Sequence, residues 1–194
     1  MTLKEHMVYK NLFYRLLFSL LFFSVYFIAL SNKYLLFYLG TFIYLFILYE
    51  IFKFFKHLFK IIFIYVTLSY FCFFIYFFVY FDEIIFNLFV FTIILFDTFS
   101  YFTGKFYGKN FIIKSLSPKK TLEGYIGGFF FTNLLLFSYL FLLNKVNDII
   151  IFLVFINLII FISIIGDLIE SYFKRKNNIK DSSNYLPGHG GYFD

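Results

Sequence analysis

Apolar residues follow one another in long runs along this chain, and polar residues are gathered between the runs. A helix that crosses a bilayer needs about 17–25 predominantly apolar residues. Six runs are long enough, at residues 13–31, 34–52, 61–81, 84–103, 125–143 and 149–172. The pattern predicts an all-α fold: a polytopic integral membrane protein with about six transmembrane helices, in which residues 1–194 form a single membrane domain.

The first apolar run also has features of a secretory signal peptide. Basic residues precede its apolar part, and Ala29-Leu30-Ser31 resembles a cleavage site. The apolar part is longer than the usual core of a signal peptide, however, and the next span follows at once. We therefore favour a retained transmembrane helix.

Lysine and arginine are unevenly divided between the two sides of this predicted topology. Of the 17, 15 lie in the N-terminal segment, near residues 53–60, around residues 104–122 and after residue 172, and two lie in the remaining loops. The positive-inside rule places both termini and the two lysine-rich loops in the cytoplasm. The two most polar segments, 104–122 and 173–194, then lie on the same side of the membrane, where they can meet.

Composition supports the membrane class and narrows the chemistry. Hydrophobic residues make up 62% of the 194 residues and charged ones 14%, with a mean hydropathy of +0.85, whereas a soluble domain is nearer to half apolar and a quarter charged. The net charge of +6 is explained by lysines in cytoplasmic loops, so we expect no nucleic-acid partner. Cys72 is the single cysteine and the three histidines are scattered, which disfavours a zinc site. The sequence contains no P-loop and no nucleophile-elbow serine.

Polarity changes abruptly where the last apolar run ends. Two carboxylates, a hydroxyl and an ammonium group follow at a spacing that puts them on one helix face: Asp167, Glu170, Ser171 and Lys174. Such groups at the end of a membrane helix are costly unless they bind a ligand, a metal or one another. Lys180-Asp181 and a glycine-rich loop at residues 187–191 come next, and glycines let the backbone approach an anion. The stretch predicts a site for phosphates and a hard cation, for which oxygen ligands favour Mg²⁺.

Asp97 is a second candidate, because a carboxylate inside a membrane span is a functional candidate by default. The structural alternative is that Asp97 only pairs with a lysine or caps a kink. Gly104 and Gly108 follow it and would leave that part of the helix bare for a ligand or for a packed helix.

The loop before the fifth span is a third candidate, since it carries more polar groups than a positive-inside loop requires. Its lysines could neutralise a triphosphate while its hydroxyls donate to phosphate oxygens. The alternative is an ordinary basic loop that meets anionic lipid. The polar members of the loop are Ser115, Ser117, Lys119, Lys120, Thr121 and Glu123.

The C-terminal stretch closely resembles the signature of the phosphatidate cytidylyltransferases, or CDP-diacylglycerol synthases. The matching residues are Ser171-x-Phe173-Lys174-Arg175-x-x-x-x-Lys180-Asp181-x-Ser183-x-x-Leu186-Pro187-x-His189-Gly190-Gly191-x-x-Asp194. Earlier segments are similar to the same family and occur in the same order: Asp97-Thr98 with Tyr101, Gly104 and Lys105; Ser117-Pro118-Lys119-Lys120-Thr121-x-Glu123-Gly124; and Gly166-Asp167-x-x-Glu170-Ser171. The resemblance covers residues 90–194, whereas residues 1–89 match only as apolar spans.

This resemblance implies condensation of CTP with phosphatidate to give CDP-diacylglycerol and pyrophosphate, with Mg²⁺ as cofactor. It assigns catalytic roles to Asp167, Asp194, Lys174 and Asp181, and metal binding to Asp167, Asp194 and Asp97, with Asp181 as a further ligand. Substrate binding falls to Ser117, Lys119, Lys120, Glu123, Glu170, Ser171, Arg175, Lys180, His189, Gly190 and Gly191. The expected partners are CTP, phosphatidate and the bilayer of a bacterial-type inner or cell membrane, and a homodimer stays open.

The chain also departs from the family pattern. Phe99 stands where the family usually has glycine, Ser100 where a smaller residue is common, and Tyr192 replaces an aliphatic residue. The family signature continues past its last shared aspartate with Arg-x-Asp and another membrane helix. We therefore expect a fragment or truncated gene product with little activity alone, in which Asp194 is poorly held because chain termini fray.

Three alternatives to this function remain open. A related CTP-dependent lipid kinase would use similar parts, although the motif around His189 argues against it. A transporter would also place Asp97 and Asp167 in the membrane but would not need two lysine-rich loops with glycine turns. A truncated or degenerate copy would fold without turnover.

Overall fold

The computed structural model describes residues 3–117, 120–144, 148–186 and 190–194, with side chains from residue 17 onward. These residues form six α-helices: α1 Leu3–Leu30, α2 Lys33–Phe54, α3 Phe59–Ile75, α4 Glu83–Tyr107, α5 Leu122–Leu142 and α6 Ile149–Lys176. A π-helical turn, Tyr76–Tyr80, continues α3. The described ranges contain no β-strand, which confirms the all-α prediction.

Five of the helices are long and apolar enough to cross a bilayer: α2, α3 with its π-helical turn, α4, α5 and α6. In α1, the part with described side chains forms a shorter apolar helix, Leu17–Leu30. Every predicted span therefore falls on a helix, and the chain is a multi-pass membrane protein.

Polar caps explain where several helices begin. The side chains of Asn32, Asp82 and Thr121 accept hydrogen bonds from the backbone N–H groups of Tyr34, Ile85 and Gly124, at 2.9, 2.9 and 3.2 Å. Each satisfies an N–H that the helix leaves without an internal partner. Because of the cap at Thr121, α5 begins at Leu122 rather than at the predicted residue 125.

Residues 80–172 form one compact unit around α4, α5 and most of α6. Its buried core consists of Leu88, Phe96, Leu136, Leu140, Ile156 and Ile160. Glycine permits the close approach of α4 and α5: a Cβ atom on Gly124 would lie 2.8 Å from the carbonyl oxygen of Ser100 and 3.2 Å from Cα of Gly104. Of the two uses predicted for a bare surface at Gly104, the structure shows a packed helix.

Residues 1–79 and 173–194 form the other compact unit, so the C-terminal segment belongs with the N-terminal helices. Asn177 binds this segment to the α2–α3 loop. Its Oδ1 accepts hydrogen bonds from the N–H groups of Lys56 and His57, at 2.8 and 2.7 Å. Its Nδ2 donates to the carbonyl oxygens of His57 and Phe173, at 3.0 and 2.9 Å. One side chain thus satisfies four backbone groups.

Candidate functional site

A cavity of about 380 Å³ lies within the unit of residues 80–172. It brings together acidic, basic and hydroxyl side chains from α4, the loop before α5, the start of α5 and α6. The lining residues are Asp97, Ser100, Tyr101, Ser117, Lys120, Thr121, Tyr125 and Asp167. Four of the predicted site residues, from three separate segments of the sequence, therefore share one cavity: Asp97, Ser117, Lys120 and Asp167.

Lys120 and Asp167 form an ion pair between Nζ and Oδ2 in this cavity. The two side chains are 32% and 26% exposed, so the pair is within reach of a ligand. Backbone contacts hold the lysine in place: its N–H donates to the Ser117 carbonyl and its carbonyl accepts from Ile112, both at 3.3 Å. The loop thus places an ammonium group where an anion can compete for it.

Two buried hydroxyl groups beside this pair have no hydrogen-bond partner among the described residues: Tyr125 OH and Ser100 Oγ. Both residues line the cavity. Most buried polar groups in proteins are hydrogen-bonded. The cavity therefore retains unused capacity to bind polar atoms.

Glu123 was predicted to bind substrate, but its described contacts hold the preceding loop. Its carboxylate accepts hydrogen bonds from the N–H groups of Lys109 and Asn110, at 3.0 and 3.1 Å, and from Asn110 Nδ2 at 2.8 Å. Glu123 thereby closes the base of the loop that carries Ser117 and Lys120.

Residues 173–194 of the C-terminal motif lie in the other unit, where both carboxylate oxygens of Asp194 accept hydrogen bonds. Oδ1 accepts a 2.8 Å hydrogen bond from Lys174 Nζ, and Oδ2 accepts from the N–H groups of Ser182 and Gly191, both at 2.8 Å. The expectation that Asp194 is poorly held is therefore wrong, because residues earlier in the chain supply donors to both of its oxygens.

Glu50 of α2, which the sequence analysis did not select, contacts the same motif. Its carboxylate is fully buried, with 0% of the residue exposed. It accepts four hydrogen bonds, from the hydroxyls of Ser182 and Ser183 and from the N–H groups of Tyr192 and Phe193. A signal was present in the sequence: Glu50 is the only charged residue in the span 34–52, and the rule that selected Asp97 applies equally to it.

A second cavity, of about 440 Å³, lies in this unit beside residues 179–185. Asp181, which is exposed, lines it together with Lys53 and Tyr185. Lys53 Nζ donates a 2.7 Å hydrogen bond to Tyr185 OH. The predicted catalytic residue Asp181 therefore shares a cavity with a lysine of α2 and a tyrosine of the C-terminal segment.

The other predicted residues occupy less informative positions. Glu170 and Ser171 lie half-buried on α6, Arg175 Nη1 donates to the Ile179 carbonyl at 3.1 Å, and Lys180 is exposed. Lys119 and His189 lie outside the described residues. Within the described ranges, no group of three or more His, Cys, Asp or Glu side chains could hold a metal ion together.

Fold and site together define a multi-pass membrane protein with a cavity that combines two carboxylates, a lysine and unpartnered hydroxyls. Comparison with known proteins identifies the family within this class of membrane protein. A model of the cytidylyltransferase family matches residues 1–194. The chain belongs to this family, which confirms the resemblance seen in its motifs.

Several relatives carry the name phosphatidate cytidylyltransferase. The protein of Thermotoga maritima is 39% identical over 105 residues, which are 52% of this chain and 39% of the relative. That of Haemophilus influenzae is 38% identical over 102 residues, covering 50% and 35% of the two chains. That of Staphylococcus haemolyticus is 40% identical over 115 residues, covering 58% and 44%. The chain thus spans less than half the length of these curated relatives.

Proposed function

We propose that the protein is a phosphatidate cytidylyltransferase, which condenses CTP and phosphatidate to CDP-diacylglycerol and pyrophosphate. The observation that carries the proposal is the cavity in which Lys120 and Asp167 are paired beside Asp97. Support comes from the family match and from relatives that bear this name. The proposed substrates are therefore CTP and a lipid phosphate.

The reaction exchanges one phosphorus–oxygen bond for another. An ionised phosphate oxygen of phosphatidate attacks the α-phosphorus of CTP; the new O–P bond forms as the bond to the β-phosphate oxygen breaks and pyrophosphate leaves. Phosphoryl-transfer chemistry of this kind depends on positioning and on neutralising negative charge rather than on a covalent enzyme intermediate. Lysines and oxygen ligands meet these needs without a nucleophilic serine or cysteine.

Lys120 is the residue that we assign to the CTP phosphates. Its ammonium group is already held against a carboxylate, Asp167, and is 32% exposed. A phosphate oxygen that enters the cavity can take the place of that carboxylate as its partner. The Ser117 and Ser100 hydroxyls line the same cavity and could donate to further phosphate oxygens.

Mg²⁺ is part of the proposal, and the donor set fits it. Mg²⁺ prefers oxygen ligands and is usually bound by one or two carboxylates together with waters and substrate phosphates. Asp97 and Asp167 line one cavity, where Tyr125 OH is buried without a hydrogen-bond partner. These two carboxylates would hold the ion, which when bound would neutralise charge on the phosphate oxygens. Asp181 and Asp194 stay predicted ligands.

The bilayer would retain the acyl chains of phosphatidate while its head group reaches the cytoplasmic face. This orientation, a bacterial-type inner or cell membrane, and a homodimer all stay predictions. Support for the orientation comes from the distribution of lysine and arginine along the chain.

Two radiolabels of CTP test the proposal and separate it from a CTP-dependent lipid kinase. Membranes containing the full chain receive a lipid substrate, phosphatidate or diacylglycerol, and CTP labelled at the α- or the γ-phosphate, with and without Mg²⁺; host membranes without the chain are the blank. Cytidylyl transfer moves only the α-label into phosphatidate-derived lipid and does so only with Mg²⁺. Label arriving from the γ-position would indicate a kinase. No labelled lipid from either position would indicate a copy without turnover.

A further inference from the structure

The fully buried carboxylate of Glu50 lies far from any charged residue of the predicted site in the sequence, yet its four donors all come from the C-terminal motif. Oε1 accepts from Ser183 Oγ at 2.6 Å and from the N–H of Tyr192 at 2.9 Å. Oε2 accepts from Ser182 Oγ at 2.9 Å and from the N–H of Phe193 at 3.0 Å. Each oxygen thus binds one serine hydroxyl and one backbone N–H.

These donors lie at the two ends of one loop, so the carboxylate ties the ends together. Residues 182–183 form the first end and residues 192–193 the second. Between them, Leu186 and Gly190 exchange two backbone hydrogen bonds, at 2.8 and 3.0 Å. A single buried side chain of α2 therefore joins the two ends of the loop, while Phe46, Lys53 and Phe55 of the same region contact Tyr192, Tyr185 and Phe193.

Ser182 connects Glu50 directly to Asp194. Its hydroxyl oxygen lies 2.9 Å from Glu50 Oε2 and 3.1 Å from Asp194 Oδ2. A hydroxyl has one hydrogen, so it donates to one of the two carboxylates at a time. The N–H of Ser182 also donates to Asp194 Oδ2, at 2.8 Å. Ser182 is therefore held between the two carboxylates and links the position of one to that of the other.

Glycine at position 191 allows the loop to come this close. A Cβ atom on Gly191 would lie 2.6 Å from both carboxylate oxygens of Glu50. The N–H of the same residue donates to Asp194 Oδ2 at 2.8 Å. Gly191 thus lets the loop backbone approach Glu50, and its N–H helps to orient the carboxylate of Asp194.

We propose that Glu50 is a positioning residue for Asp194: it fixes both ends of the 182–193 loop and so sets where the Asp194 carboxylate and its partner Lys174 stand. This proposal rests on the cytidylyltransferase function proposed above. Because Glu50 is fully buried, its proposed role is to position other residues rather than to bind substrate. Its effect passes through Ser182 and through Phe193, the residue next to Asp194. Misplacement of a reacting group by about 1 Å can cost on the order of a hundredfold in rate.

Glu50→Gln is the sharpest variant, because it keeps the size of the side chain and changes one acceptor oxygen into an NH₂ group. The serine hydroxyl facing that NH₂ can turn and accept from it, but a backbone N–H cannot accept. One N–H, of Tyr192 or of Phe193, must therefore lose its acceptor. Glu83→Gln makes the same chemical change at an exposed position at the start of α4 and serves as the control.

The test measures kinetics and hydrogen exchange on the full chain in lipid nanodiscs. We expect Glu50→Gln to lower kcat about tenfold to a hundredfold, with the KM for CTP unchanged. Hydrogen exchange should quicken in the peptide that contains residues 190–194 and stay the same in α5. Glu83→Gln should change none of these quantities.

Three results would overturn the proposal: unchanged kcat in Glu50→Gln, a change confined to KM, or unchanged exchange at residues 190–194. Faster exchange throughout the chain would also overturn it, since that result indicates a general loss of stability. A wild-type chain that transfers no cytidylyl group would refute the proposed function instead. In that case the hydrogen-exchange rate of residues 190–194 in Glu50→Gln still tests whether Glu50 holds the loop that carries Asp194.

Discussion

Lys174 and Asp194 form an ion pair across 20 positions of the chain, with 2.8 Å between Nζ and Oδ1. Their side chains are only 13% and 12% exposed. Both residues belong to the predicted catalytic set. The pair is therefore both a candidate for chemistry and a structural bond between the end of α6 and the motif loop.

Removing both members of this pair should cost less stability than the two single removals added together. Lys174→Met or Asp194→Asn alone leaves a mostly buried charge without its partner, which costs on the order of 3 kcal/mol of unfolding free energy. The double variant removes both charges and should be less destabilised than the sum of the single variants. Unfolding in mixed micelles titrated with SDS provides the comparison, with Lys60→Met at an exposed position as control. Additive effects would show that the pair contributes no coupling energy.

Asp167→Asn should abolish most turnover while the protein still inserts into membranes. The change keeps the shape of the side chain but removes the negative charge proposed to bind Mg²⁺. A loss of about a hundredfold or more in kcat is expected for an electrostatic contact of this kind. Asp148→Asn, at an exposed aspartate, is the control. Near-normal turnover of Asp167→Asn would contradict the assignment.

Lys120→Ala should weaken the use of CTP rather than abolish turnover. It removes a proposed phosphate contact and no metal ligand, so the KM for CTP should rise by about tenfold or more. Lys114→Ala, at an exposed lysine of the same loop, should leave the KM unchanged. Since Lys120 and Asp167 are paired, a purely structural ion pair would give both variants the same kinetic defect, and different defects would separate the two roles.

Gly191→Ala should destabilise the chain through a clash with a specific partner. The added methyl group would come closest to the hydroxyl oxygen of Ser182 and would lie 2.6 Å from both oxygens of Glu50; overpacking of this kind typically costs about 1–3 kcal/mol. The cost should shrink when Gly191→Ala is made in a Glu50→Ala background, because the two Glu50 oxygens are gone and the Ser182 hydroxyl, which then has only Asp194 as its carboxylate partner, can move away from the methyl group. The four chains can be compared by SDS titration. An equal cost in both backgrounds would exclude Glu50 as the clashing group.

The predicted membrane orientation can be tested by cysteine labelling. Cys72 is exposed and must first be replaced by serine. Single cysteines at Lys33 and Asn144 should then react with an impermeant maleimide only from outside the cell, and those at Lys56 and Lys114 only from the cytoplasmic side. The expectation follows from the division of 15 and two basic residues between the two sides. Labelling of either pair from the opposite side would show that the predicted orientation is wrong.

Sequence patterns predicted the membrane helices well because apolar runs of spanning length are rare outside membranes. Helix ends were less accurate, since local groups set them: the Thr121 cap starts α5 early, and α4 continues to Tyr107, just before Gly108. The π-helical turn Tyr76–Tyr80 has no recognisable signature in a stretch rich in aromatic residues.

The cavity residues were predictable for a physical reason: charges within or beside apolar runs are costly and so stand out. Asp97 and Asp167 were found in this way and Lys120 from the excess of polar groups in its loop, and the structure places the three together. Glu50 satisfies the same criterion but lies in the region where only apolar spans resembled the family. Its four donors lie near the other end of the sequence, and no local sequence pattern predicts a contact between such distant residues.

The long separation between Glu50 and its donors has a consequence for biosynthesis. Ser182 lies 132 positions after Glu50, and a ribosome that adds about 5–20 residues per second needs about 7–26 s to reach it. For that interval the carboxylate has none of its native donors, although it sits in an apolar helix where an unpartnered charge is costly. The α2 helix must therefore keep this carboxylate hydrated or bound to temporary donors. Its four native hydrogen bonds can form only after the last residues of the motif have left the ribosome.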